Sequence, residues 1–361
     1  MATQKIPGRA IKLGTDTAGD VTYFNGTAWV RLAIGEAGHV LTMNDAGTFP
    51  QWGSADWIYR GSIRGFSSGG ANHHDQPGGG GTGVWYFFSE IFSHEFASDG
   101  DAVDTTGDLV TARHAMIGYS SETHSFVSGG RGGNNAFDID TIESFPNTNP
   151  GANATDLANL VDADSHGTPV SSLTHGYAAT TAGATIEKFA FTNTVNATLV
   201  GNLPNDHDAM DGAGVTDSTA DYGYVAGGGA PLVNHISRFS FDNETTTDDV
   251  GDLATLSQHA AGCSSETHGY FTGITTQTDP SRVQKYAFAS SGNATQVATL
   301  SVSGSGRGNG ISSMTHGYLV GGFPATAIDK FSFANETTWN HVGDLGTDVT
   351  TLRAHHASSH F

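Results

Sequence analysis

THSFVSGG (residues 123–130), THGYAATT (174–181), ADYGYVAGG (220–228), THGYFTGI (267–274) and THGYLVGG (315–322) are five copies of one phrase, beginning 51, 46, 47 and 48 residues apart. That period is the length of one four-stranded β unit rather than of a helical hairpin. Three further pieces recur around the phrase. Before it stand HAMIGYSS (from His114), HGTPVSS (His166), DGAGVTDS (Asp211), HAAGCSS (His259) and NGISS (Asn309), each running into a Ser-rich turn that signals a hairpin. After it come a glycine pair in most copies and then a strand with apolar residues at alternate positions: IEKFAF (Ile186), ISRFSF (Ile236), VQKYAF (Val283) and IDKFSF (Ile328), with IESF (Ile142) a shorter copy. A last strand ends in GDL or a variant at Leu109, Leu160, Leu203, Leu253, Leu300 and Leu345.

Six such endings predict six units. The first is irregular, built from RGFSSGG at Arg64 and EIFSHEF at Glu90, with the glycine-rich insertion QPGGGGTG from Gln76 between them as a flexible surface loop. After Leu345 the chain reads TTLRAHHASSHF, the opening strand of a further unit that then stops. If this strand joins the first unit, it closes the circle and removes exposed edges. The expected fold is all-β: a six-bladed β-propeller with C-terminal strand closure over residues 56–361, preceded by a small β-rich segment, residues 1–55. Gly at 49 of 361 residues and charged residues at only 14% suit short strands and tight turns.

The repeat resembles the kelch family. TARH (from Thr111), Phe126 before Gly129 and Gly130, the aromatic of the third strand and the closing GDL follow the kelch order. The tryptophan that kelch repeats carry six residues before that leucine is present only as Trp339; the other copies have Val103, Ala154, Ala197, Thr247 and Ala294.

Residues 1–55 do not share the repeat. They contain short strands with turns at Asn25–Gly26 and around Asp45 to Gly47. A segment of this size buries little of its own surface, so association between chains is the expected source of its stability. GDV-Y-NG-W-RL (from Gly19) followed by GHVL-N-G-P-W (from Gly38) resembles segments of bacteriophage tail fibres and related virion proteins. That resemblance implies a trimeric stalk or adaptor attached to other virion proteins through residues 1–55, with the propeller presented to a host-surface glycan or protein.

With 15 basic against 36 acidic residues the net charge is −21, which repels nucleic acid and anionic membrane. No apolar run is long enough to span a bilayer and the N-terminus lacks the apolar core of a signal peptide, so classical export is not expected; the location that the resemblance implies is the virion. The single cysteine, Cys263, reads as a small buried apolar residue.

The repeated histidines His124, His175, His268 and His316 read as hairpin residues, because equivalent positions on different blades lie too far apart to share a metal ion. His355, His356 and His360 on the closing strand are weak metal candidates; no cofactor and no catalytic residue is expected. The six N-x-T triplets (Asn25, Asn153, Asn196, Asn243, Asn293, Asn335) read as turn chemistry. Receptor contact is expected in the variable loops 72–83, 131–140, 275–281 and 324–326, with Asn72, His73, His74, Trp85, Tyr86, Arg131, Asn134 and Gln277 as candidates; Trp85 and Tyr86 suit stacking on sugar. Two other readings are a head-fibre, decoration or tail-knob protein without receptor contact, and a soluble propeller enzyme.

Overall fold

The structure is a computed structural model. It describes residues 17–34, 39–43, 49–54, 63–74, 84–132, 137–181, 184–204, 207–217, 221–229, 231–245, 247–274, 282–299, 308–321, 326–346 and 357–360. The chain is all-β, in many small antiparallel sheets, and divides into two compact units, Met1–Trp57 and Ile58–Phe361. None of the described residues forms a helix long and apolar enough to cross a membrane.

The first unit holds two ribbons, Val21–Phe24 with Trp29–Leu32 and His39–Met43 with Pro50–Ser54. Asn25–Gly26 makes the first turn as its sequence suggests: Gly26 sits at φ 93°, and the Asn25 carbonyl oxygen accepts from the N–H groups of Thr27 (3.0 Å) and Ala28 (2.9 Å). Asp20 ties the ribbon to its flanks, accepting from Thr17 N (2.7 Å), Ile34 N (2.8 Å) and Arg31 Nε (2.5 Å). Arg31 and these N–H donors hold its carboxyl well below the usual carboxylate range.

The described residues of the second unit form six four-stranded antiparallel sheets, beside smaller ribbons. The second sheet is Ile117–Ser120, His124–Ser128, Thr141–Pro146 and Thr155–Asn159. The third is Thr168–Ser171, His175–Ala179, Thr185–Ala190 and Thr198–Asn202; the fourth is Ala213–Asp217, Tyr222–Gly228, Val233–Ser240 and Thr247–Asp252. The fifth is Gln258–Ser264, His268–Ile274, Arg282–Ala287 and Thr295–Thr299; the sixth is Asn309–Ser312, His316–Val320, Ala327–Ser332 and Asn335–Asp344. In each, strands neighbour one another in chain order. The first sheet is the exception: Arg64–Ser68, Glu90–Glu95 and Val103–Asp108 follow in order, and its first place is taken by Ala357–His360, antiparallel to Arg64–Ser68 with Ser67 opposite Ala357. Tyr222, not Asp221, stands where the other copies have His, so that copy of the phrase is displaced by one residue.

The third-strand motif I-x-x-F explains how the sheets stack. Residues three apart on a strand point to opposite faces. Ile186 accordingly enters a core shared with Val225 and Phe239 of the fourth sheet, while Phe189 enters one shared with Tyr119 and Phe126 of the second. The same division sends Ile236 and Phe239, Val283 and Tyr286, and Ile328 and Phe331 to different cores. Six clusters result, each drawn from two consecutive sheets; the sixth joins Tyr318 and Ile328 of the last sheet to Phe92 and Ala102 of the first.

The first strands touch one another in the same cyclic order. Their glycines make this possible. A Cβ on Gly214 would lie 1.7 Å from the Pro169 carbonyl oxygen, one on Gly262 2.3 Å from that of Gly214, and one on Gly310 1.9 Å from that of Gly262.

The outer strands are joined by the N-x-T loops. Ala154, Ala197 and Ala294 each donate 2.8 Å backbone hydrogen bonds to Asp108, Asn159 and Asp252 of the preceding sheet, and Ala102 does the same to Asp344. Asn153, Asn196 and Asn293 add side-chain acceptors for the N–H groups of those same residues, at 3.1 Å each. Turn chemistry therefore accounts for only part of the triplets: Asn25 holds its own turn and Asn243 and Asn335 bond their own Thr245 and Thr337 hydroxyls, whereas the other three reach across a sheet boundary. At the boundaries after the third and fifth sheets, Glu244 and Glu336 take the ammonium groups of Lys188 and Lys285 and the hydroxyls of Tyr177 and Tyr270.

Gly310→Ala is expected to destabilise the chain by about 3 kcal/mol or more, because backbone, not a side-chain tip, must yield. Urea unfolding measures it. Truncation after Leu345 leaves Arg64–Ser68 with an open edge, and the shortened chain is expected to melt lower and to aggregate, as read by calorimetry and size-exclusion chromatography.

Candidate functional site

The direction of the first strands decides which loops share a surface. Ser120 N donates to Ser171 Oγ (3.3 Å), Thr216 N to Ser264 Oγ (3.2 Å) and Ser264 N to Ser312 Oγ (2.8 Å), so equivalent residues stand side by side and the strands run the same way. All turns between first and second strands therefore lie at one end of the unit, and all connections between second and third strands at the other.

At the turn end four turns share one pattern. The hydroxyls of Ser121, Ser172, Ser265 and Ser313 accept from the N–H groups of His124, His175, His268 and His316 at 3.0–3.1 Å and donate back to the carbonyls of the same residues. Each histidine Nδ1 meets the hydroxyl of the threonine before it at 2.7–2.9 Å. These rings are parts of the turns, and partial burial pushes all four below the ordinary imidazole range.

The opposite end is diverse. Its connections are residues 69–89, 129–140, 180–184, 229–232, 275–281 and 321–326. The first two are elaborated into ribbons. Ala71–His74 pairs with Val84–Phe87, placing Asn72 opposite Tyr86 and His73 opposite Trp85. The stems of the glycine-rich insertion are thus paired strands, while QPGGGGTG itself lies outside the described residues. In the second connection Arg113–His114, Arg131–Gly132 and Phe137–Asp138 form a three-stranded ribbon. The two ribbons meet where the Phe87 ring stacks on His114, centroids 5.0 Å apart and 6° from parallel. Strand alternation then turns Tyr86 to the other face, where it is 53% exposed. Phe137, 69% exposed, is likewise on the face opposite the Arg131–Asp138 ion pair (2.8 Å). Tyr86 and Phe137 are the exposed large aromatics among the described residues of the second unit.

A buried ion pair holds the base of the second ribbon. Arg113 donates to the Gly129 carbonyl (2.9 Å), to Thr141 Oγ1 (2.8 Å) and to Glu143, whose carboxylate also accepts from Val110 N (2.8 Å) and Thr111 N (3.2 Å). In the fourth sheet a different pair does this work: His207 Nε2–H donates to the Gly227 carbonyl (2.7 Å) while Nδ1 meets Ser237 Oγ (2.6 Å). Burial pushes the His207 imidazole down.

Of the residues singled out from sequence, Asn72, His73, His74, Trp85, Tyr86 and Arg131 fall on these two ribbons. Asn134, Gln277, His355 and His356 lie outside the described residues; His360 is placed in the closing strand opposite Arg64. Among the described residues no group of three or more His, Cys, Asp and Glu is arranged to hold a metal ion. Cys263 is buried beside Tyr270 and Phe331, and burial pushes its thiol far up. It borders a cavity of about 130 Å³ between the first strands, lined largely by Gly118, Gly214, Gly262, Gly310 and the Ser hydroxyl belt. Sequence reasoning missed Phe137, Arg113 and His207. The first stood out only as a lone aromatic in an Asn- and Gly-rich run, and the other two occupy one role with different chemistry.

Compared with known proteins, the chain matches no family model and no curated protein sequence.

Because the four turn histidines titrate below about 6.5 when folded, the unfolded chain takes up their protons first. Stability is complete above that pH and declines as pH falls below it, until the folded rings protonate too. A variant with all four changed to Gln is expected to show a shallower loss of Tm between about pH 7 and pH 5 than the parent chain.

Proposed function

We propose that the second unit is a six-bladed β-propeller and that the chain is a tail-fibre or spike-type structural protein of a bacteriophage virion, binding the host surface with one end of that propeller. The cyclic order of the first strands and the six cores shared between consecutive sheets support the architecture. One observation carries the function: four turns at one end are the same hydrogen-bonded unit, while the connections at the other differ in length and two are built into ribbons presenting Tyr86 and Phe137. A scaffold that repeats everything except one set of loops is suited to recognition by those loops. The resemblance of residues 1–55 to tail-fibre segments supports attachment to other virion proteins, and homotrimer formation is part of the same reading.

The test is binding of the fluorescently labelled full chain to a panel of intact bacterial strains. Tyr86→Ala combined with Phe137→Ala is expected to weaken labelling of a responsive strain at least about tenfold, the loss typical of aromatic anchors, with Tm unchanged. Met314→Ser, at an exposed turn of the opposite end, is expected to leave it unchanged. Equal labelling by both variants, or adhesion to phage particles with no labelling of any strain, overturns host binding; the latter result is the signature of a decoration protein.

A further inference from the structure

We infer that the first unit is the contact through which copies of this chain associate, and that the contact face is the side of the ribbon Val21–Phe24/Trp29–Leu32 bearing Phe24 and Trp29. This deepens the assembly part of the reading above and does not depend on host binding.

In the ribbon Val21–Phe24/Trp29–Leu32 no residue is fully buried. The ribbons of the first unit are two-stranded, and an isolated two-stranded ribbon is marginal in water unless a further surface covers it. Alternation sorts the first ribbon into two faces. Val21, Tyr23, Val30 and Leu32 are half-buried on one; Thr22, Phe24, Trp29 and Arg31 are on the other. Phe24 and Trp29 are directly opposed across the ladder, with centroids 5.8 Å apart, yet remain 54% and 48% exposed. They form a preassembled aromatic pair at the centre of an open face. The one charge on that face, Arg31, is already matched by Asp20.

The occupant follows from the distribution of charge. Residues 1–57 carry four basic and five acidic side chains, whereas residues 58–361 carry eleven basic against thirty-one acidic. Two copies of the second unit repel each other; two copies of the first do not. A face with aromatic rings, a threonine and an internally neutralised arginine meets itself without leaving a charge unpaired, and offers no net charge for a partner of opposite sign to read. A second copy of this chain fits it.

Sedimentation velocity on the full chain across a dilution series tests this. The parent chain is expected to form a discrete oligomer that persists at high salt; Phe24→Ser with Trp29→Ser is expected to sediment as a monomer with the parent melting profile of the second unit, and Trp29→Phe to keep the oligomer. A monomeric parent chain at every concentration overturns the inference, as does a double variant that sediments like the parent. So does a monomeric parent whose double variant no longer joins phage particles, because the face then docks on a different protein. A monomeric double variant that still labels bacteria upholds the inference and leaves host binding standing; an assembled parent chain that labels none upholds the inference and removes host binding alone.

Discussion

The second unit depends on one constraint, the approach of first strands to each other backbone against backbone. Gly214, Gly262 and Gly310 stand where any Cβ would enter the carbonyl of the neighbouring strand. Once these strands are that close, the Ser hydroxyl belt bonds across them, each sheet is covered on both faces, and the space they enclose shrinks to about 130 Å³. Glycine and serine make up much of its lining, beside Tyr119, Val215, Cys263 and Ile311. The connections at the ends of the sheets are where the repeat departs from itself, and at one end they differ in length.

Hydrogen bonding separates the two ends physically. At the turn end the Ser-x-Thr-His unit satisfies its own backbone, and Asn153, Asn196 and Asn293 fasten each outer strand to the one before it. At the loop end the corresponding backbone groups are held from beneath, by Glu143, Glu187 and Gln284, which accept from Val110, Val161 and Ala254 at 2.6–2.8 Å. Because those anchors sit in the third strand, the connections above them change length without disturbing the sheets. The buried Arg113–Glu143 pair is the most demanding of the anchors: its desolvation is offset by the attraction between the two charges and by the Gly129, Thr141, Val110 and Thr111 bonds that surround them.

Much of this was legible in the chain. The THGY phrase, the GDL endings and the stranded ASSH segment led to four-stranded sheets and to a strand returning to Arg64, because each is a local pattern with a local cause. The I-x-x-F division between two cores needed the pleat as well as the motif. What stayed hidden were relations between sheets. Asn153 and Asp108 are far apart in sequence, so a triplet that reads as a turn gives no sign of its partner. His207 and Ser237 keep the nitrogen-to-carbonyl and nitrogen-to-oxygen contacts of Arg113 and Glu143 while changing both residue types, and no repeat alignment reveals it. The ribbon at 71–74 and 84–87 was obscured by the glycines between its strands. Phe137 carries no periodic signal at all.

The pairing of Ser67 with Ala357 joins positions 290 residues apart. At a synthesis rate of about 5–20 residues per second, the edge of Arg64–Ser68 waits roughly 15–60 s for its partner to be made. During that interval five sheets are able to form around an unfinished first one, and the nascent chain carries an open strand edge next to its own growing copies on the same messenger. The time between translation of residue 68 and residue 357 is therefore the period of greatest exposure to chaperones and to mispairing, and slow decoding near the end of the message would lengthen it.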